Sequence, residues 1–166
     1  MSDNYIVING KRTELTEKQL KALGVEPEKP INPFNRTMLG SHYYIPYLDG
    51  KTRVYTDDNN VQTDLMRRNC CYINDKQFAE QVALHQLLYR KLLKFAYDNG
   101  CEDTQEWDNN NVHCYIYYDH SHARFDVDCT VMYASSAVWF PSKQAAEQAI
   151  KEVVEPFMKE HPEFVW

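Results

Sequence analysis

Three residue types recur at matched spacing: His42, Tyr44 and Arg53 in "HYYIPYLDGKTR", and His113, Tyr115 and Arg124 in "HCYIYYDHSHAR", where Tyr117 is added. An aromatic ring beside a guanidinium and an imidazole can stack a base and hold a phosphate. If both stretches are strands, alternation puts each trio on one face. Tyr43, Ile45 and Tyr47, with Cys114, Ile116 and Tyr118, then form the opposite, core face, completed by Val54 and Phe125. Two such trios suit a pseudo-symmetric site for an anionic, nucleotide-type small molecule. The same pattern also describes a solvated sheet face whose Tyr and Arg pairs steady neighbouring strands.

Other constellations carry less. Arg67 and Arg68 in "MRRN" are the densest basic spot and could clamp an anion, or could simply end a surface helix. Asp126 and Asp128 sit two apart on one strand and could present the paired carboxylates of a hydrolase, or the charged face of an edge strand. His113 and Cys114 are adjacent and point to opposite faces, so they cannot share one ion. His120 and His122 lie in a turn without a further pair at zinc spacing, and no metal is expected. No cysteine stands in a motif that would activate a nucleophile. "DDNN" at 57–60 lacks the remaining ligands of a calcium loop. No glycine-rich phosphate loop exists among only 5 glycines, and no cofactor is expected.

The elements that must position these residues follow from pattern. "YIVIN" at 5–9 reads as a short strand closed by a turn at Asn9-Gly10. "LTEKQLKALG" reads as a helix with Thr16 as N-cap and Gly24 as its stop. A proline-rich tether, "VEPEKPINPFNR", follows. Residues 1–30 thus form a strand-helix appendage and linker, and 31–166 the main domain. Within it, "HYYIPY", "LDGK" and "TRVYTD" predict a hairpin, "VQTDLMRRN" a short helix or irregular excursion, and "CCYI" a third strand. Asp75 caps a long helix running to Gly100. The second half repeats the order: "HCYIYY", a turn, "RFDVDCTVM", a third strand "AVWF", then a helix capped by Ser142. Pro156 opens a last short helix.

Arg124 follows His113 by the interval that separates Arg53 from His42. Lys76, Gln77, Ala79, Glu80 and Gln81 recur as Lys143, Gln144, Ala146, Glu147 and Gln148. The expected fold is therefore α+β: two β-β-β-α repeats (42–100 and 113–161) forming a mostly antiparallel sheet with helices on one face, plus the N-terminal appendage. The long helix is apolar on two sides. Leu84, Leu87 and Leu88 would form an exposed patch unless the appendage or a second subunit covers them, which makes a homodimer possible.

Charge narrows the partners. With 18 basic against 24 acidic residues the net charge is −6, which disfavours strong non-specific nucleic-acid binding. An acidic patch of Asp57, Asp58, Glu102, Asp103, Glu106 and Asp108 could instead meet the basic nucleic-acid groove of a nuclease. The N-terminus has no signal pattern and no run approaches a membrane span, so no membrane partner is expected. An odd number of cysteines, 5, without a Cys-x-x-Cys reads as reduced thiols in a cytoplasmic protein, with Cys114 and Cys129 as small core residues.

The order "NPFNR…YYI…DG", "KQFAEQVALHQLLYRKLLKFA", "HCYIYYD" and "SKQAAEQAIKEVVEPFMKEHPEFVW" resembles a large set of small proteins encoded by phages and prophages of gut bacteria. The resemblance runs over most of the chain, including "INGKRTELTEKQLKALG", and brings no catalytic motif with it. It implies a setting, the host cell cytoplasm, in which short acidic accessory proteins are often counter-defence factors. The expectation is a non-enzymatic inhibitor that sequesters a nucleotide immune signal or blocks a CRISPR nuclease. A hydrolase of such a signal and a structural or regulatory accessory protein are the alternatives.

Overall fold

The computed structural model describes residues 5–8, 11–14, 32–100, 112–131 and 137–166. In chain order these give β1 (Tyr5–Ile8), β2 (Lys11–Glu14), β3 (His42–Pro46), β4 (Thr52–Thr56), α1 (Val61–Arg68), α2 (Lys76–Asp98), β5 (His113–Asp119), β6 (Arg124–Thr130) and α3 (Lys143–Ala149). A π-helical turn, Ile150–Val154, then leads into α4 (Glu155–Glu160). The class is α+β, as expected.

The sheet is not. Among the described residues the strands form three separate antiparallel hairpins, β1–β2, β3–β4 and β5–β6, rather than one sheet. Each expected third strand shrinks to a single bridge, Tyr44 with Ile73 and Cys114 with Phe140. The flanking backbone leaves the ladder at once to enter an N-cap: Asp75 accepts from the Phe78 amide at 2.9 Å and Ser142 from the Ala145 amide at 3.1 Å. Those two caps satisfy amides that the first helical turn leaves without partners. Asn60 caps α1 in the same way, through the Thr63 amide at 2.9 Å. β1 falls where the "YIVIN" run predicts, and β2 adds a pairing that the polar "KRTE" conceals. The helix expected at 15–24 lies outside the described residues.

The order of hairpin, bridge and helix occurs twice, but the strand-for-strand equivalence of the two halves is not supported. The first hairpin pairs Ile45 with Arg53, whereas the longer second hairpin pairs Asp119 with Arg124. Arg53 stands second in β4, one pair removed from the turn, and Arg124 opens β6 beside its turn, so they are not counterparts. Register is set by turn and strand length, and it differs between the two hairpins.

Helix α2 is the hub. Its first side receives β3 and β4, and its second receives α3 and the π turn, while β5 and β6 pack on α3. Leu84 and Leu88 are buried, and one cluster joins them to Leu92, Cys114, Phe140, Ala146, Val154 and Phe157. Burying each Leu-sized side chain contributes roughly 1.5–3 kcal/mol. The apolar patch is thus covered within the described chain, by the first hairpin and α3, and it gives no reason for a second subunit. Gly50, at φ +80°, lets the β3–β4 turn seat on α2, where a Cβ would lie 2.8 Å from Leu87 Cδ2. Only glycine takes that backbone shape without strain.

The helix capped by Ser142 is not regular throughout. An unbroken α-helix would bury Val153, yet Val154 is fully buried and Val153 only half so. The Glu155 amide reaches back to the Ile150 carbonyl, which widens one turn ahead of Pro156. Proline has no amide to bond the carbonyl four residues back and clashes with it, and the wide turn accommodates both.

Cys114 and Cys129 are joined by a disulfide across β5–β6. That corrects the expectation of reduced core thiols: directly opposed positions bring the two Cα atoms to 4.0 Å. Cys70 and Cys71 are free. No helix among the described residues is long and apolar enough to cross a membrane.

Candidate functional site

The nine residues singled out for ligand binding fall into three groups. His113, Tyr115, Tyr117 and Arg124 do share one face of the second hairpin, opposite Thr130, Asp128, Asp126 and Asp119 respectively. Arg67 and Arg68 are exposed at the end of α1, where Arg67 pairs with Asp64 at 3.4 Å. On the first hairpin, His42 and Tyr44 lie opposite Thr56 and Val54, while Arg53 lies opposite Ile45. Directly paired residues share a face, so Arg53 is on the side assigned to the core, and Val54 is on the other and exposed. The guanidinium of Arg53 lies 3.6 Å from the centre of the Tyr47 ring. The first trio is therefore split across its hairpin. No strand pairing joins the two hairpins into a symmetric site.

The second face is acidic and aromatic. His113 is buried and meets Trp139 edge-on at 6.2 Å. Tyr115 meets the same indole at 5.4 Å, and its hydroxyl points to Asp128 at 3.4 Å. Partial burial, then the Asp128 carboxylate, raises the Tyr115 phenol above its usual value. Desolvation and Asp126 do the same for Tyr117, so both rings stay hydrogen-bond donors. Arg124 is committed to Asp126 at 2.9 Å. At the turn, Asp119 accepts from Ser121 and from His122 at 2.7 Å, which holds its carboxyl down to about 2.

This geometry bears on catalysis. Asp126 accepts from the Val127 amide, which with Arg124 keeps it below the usual carboxylate range. Asp128 accepts from the Cys129 amide at 2.8 Å. Held below its usual range, Asp126 is a carboxylate without a proton to give near neutral pH. His120 packs edge-on against Tyr118. No cluster of three or more His, Cys, Asp or Glu side chains able to hold a metal ion stands together among the described residues.

The acidic patch also changes. Asp57 is fully buried and accepts from Arg36 Nε and Nη2 at 2.7 and 2.6 Å, from the Tyr72 hydroxyl and from the Asn59 amide. It is an internal anchor. Asp58 remains exposed, and residues 102–108 lie outside the described residues.

Sequence reasoning missed a cleft of about 470 Å³ between α2 and the second hairpin. Its floor includes Leu88, Leu92, Ile116 and Phe140, and Tyr89, Arg90 and Trp166 stand around it. The Gln81 amide places the tail that carries Trp166. It donates to the Glu163 carbonyl at 2.7 Å and accepts from the Val165 amide at 3.0 Å. A faint signal existed: His85 and Tyr89, and Gln86 and Arg90, are pairs four apart on one helix side.

No family model matches the chain, and no curated protein or solved structure matches it.

Proposed function

We propose that this chain acts by binding rather than by catalysis, as a phage-encoded counter-defence protein whose second hairpin covers a basic surface on a host immune nuclease. One observation carries the reading. The face that holds Tyr115 and Tyr117 bears Asp119, Asp126 and Asp128, and its one guanidinium, Arg124, is already bound to Asp126. Such a surface repels phosphate and attracts Lys- and Arg-lined grooves, while tyrosines supply contact area with hydrogen-bond donors. Nuclease grooves that track a nucleic-acid backbone have that complementary chemistry. The expected family setting agrees with it.

The test is inhibition of DNA cleavage by single-effector CRISPR nucleases, titrated with the full chain. Binding should weaken steeply with salt, and Asp126→Asn with Asp128→Asn should lower affinity about tenfold or more. A chain that leaves cleavage untouched at every concentration, or a double variant that inhibits as well as its parent, refutes the reading.

Sequestration of a nucleotide signal keeps one supporting observation. Arg53 lies over Tyr47, and no carboxylate pairs with it among the described residues. Calorimetric titration with cyclic and signalling nucleotides separates the two: heat that disappears in Arg53→Ala and survives in the Asp126/Asp128 variant favours capture of the nucleotide.

A further inference from the structure

The cleft between α2 and the second hairpin lies behind the acidic face, since Ile116 in its floor is on the opposite side of β5 from Tyr115 and Tyr117. Its volume of about 470 Å³ falls within the roughly 300–1,000 Å³ typical of small-molecule sites, and its walls are mostly apolar, as such sites are. We infer that it binds a small amphipathic monoanion, a flat apolar body lying over Leu92, Ile116 and Val138 beside Trp166, with its single acid group on Arg90.

The acid group follows from Arg90. Its Nη2 donates to the Leu48 carbonyl at 2.6 Å, which fixes the guanidinium at the cleft. No carboxylate pairs with it among the described residues, and a guanidinium carries five N–H donors in a planar fork. A carboxylate or sulfonate matches that fork in two parallel bonds. A single charge follows from the rest of the lining. Arg90 is the one Arg or Lys among the described lining residues. His85 is held below its usual value by burial, so it stays neutral near pH 7. A polyphosphate would find too few donors.

The flat body follows from the rings. Trp166 packs edge-to-face on Phe125 at 4.9 Å, and Phe164 on His85 at 4.6 Å, so the indole is held in place before any ligand arrives. Ligands bound by rigid aromatic walls lose less freedom on binding.

The probe is 8-anilinonaphthalene-1-sulfonate, an aromatic amphipathic monoanion, followed by fluorescence on the full chain beside the uncharged N-phenyl-1-naphthylamine. The sulfonate should bind saturably with one site. Arg90→Gln should weaken it about ten- to a hundredfold while moving the neutral dye by less than about threefold. Gln86→Glu leaves the Leu48 contact untouched and places a carboxylate one helical turn from Arg90, where it occupies the guanidinium. It should weaken the sulfonate alone, which keeps the charge test intact if Arg90→Gln fails to fold. Ala137→Trp, filling the cleft, should abolish both dyes with far-ultraviolet circular dichroism and the urea midpoint unchanged. Multi-site or non-saturating uptake overturns the proposal, as does sulfonate affinity indifferent to both charge variants. The nuclease reading stands or falls separately, because Asp126→Asn and Asp128→Asn should leave dye binding unaltered.

Discussion

Asp57 shows how much one side chain can hide from a sequence. It sits in "TDDNN", which reads as a solvated acidic turn, yet it is fully buried, and its main partner, Arg36, lies 21 residues earlier. The caps were legible because Asp75 and Ser142 act on amides three residues away. Asp57 was not, because its partners come from a loop and from Tyr72. Asp57→Asn takes the charge from a buried carboxylate whose main partner, Arg36, stays partly exposed, so it should lower the unfolding free energy by about 1–3 kcal/mol, read by urea denaturation. An unchanged midpoint would show that the anchor is dispensable. Arg36 and the other donors hold the Asp57 carboxyl below its usual value, and Ser121 and His122 hold Asp119 near 2. In acid the unfolded chain therefore takes up protons that the native chain refuses. Stability from both groups is full above the unfolded value of about 3.9 and falls as pH drops, with the Asp119 share gone only below about 2. Asp57→Asn should flatten the acid limb of a stability-versus-pH curve.

At the scale of elements, periodicity located the β3–β4 and β5–β6 hairpins and the helices capped by Asp75 and Ser142, and failed where a local rule was overridden. The helix capped by Ser142 reads as regular, but a π turn ahead of Pro156 rotates Val154 inward. The third strands were over-read because a buried apolar run such as "AVWF" has the same pattern whether it pairs for four residues or for one. The disulfide was concealed in another way: Cys114 and Cys129 become cross-strand neighbours only once the register is known. Closing a 15-residue loop contributes about 3 kcal/mol in the chain-entropy account. Cys129→Ser should therefore lower stability by about 2–3 kcal/mol, and excess reductant should bring the parent to the same midpoint. Alkylation without reductant should spare both cysteines. Labelling of either would refute the bridge.

For the whole molecule, the repeated "HxYIxY" marked the two hairpins β3–β4 and β5–β6, and misled on how they assemble. Motif spacing follows sequence, whereas pairing follows turn length, and the second hairpin has seven pairs to the first one's five. The candidate site was legible on the second hairpin alone, since facing residues there keep the expected alternation. It broke on the first, where Arg53 crosses sides. The cleft was out of reach because its walls come from α2, β5 and the tail. Among the described residues each of these two hairpins joins a later segment through one backbone bridge, the Leu48 carbonyl of the first also accepts from Arg90, and no ladder runs from one hairpin to the other. Backbone amide exchange with heavy water turns that layout into timing. Amides of α2 between Ala83 and Leu92 should exchange last, through global unfolding, and each hairpin through its own smaller opening. Cys129→Ser should quicken β5–β6 well beyond any change in β3–β4, whereas equal quickening everywhere would mean one cooperative unit. A molecule seated on one hairpin then slows only that hairpin's clock, so the pattern of delayed amides reads out which surface was occupied.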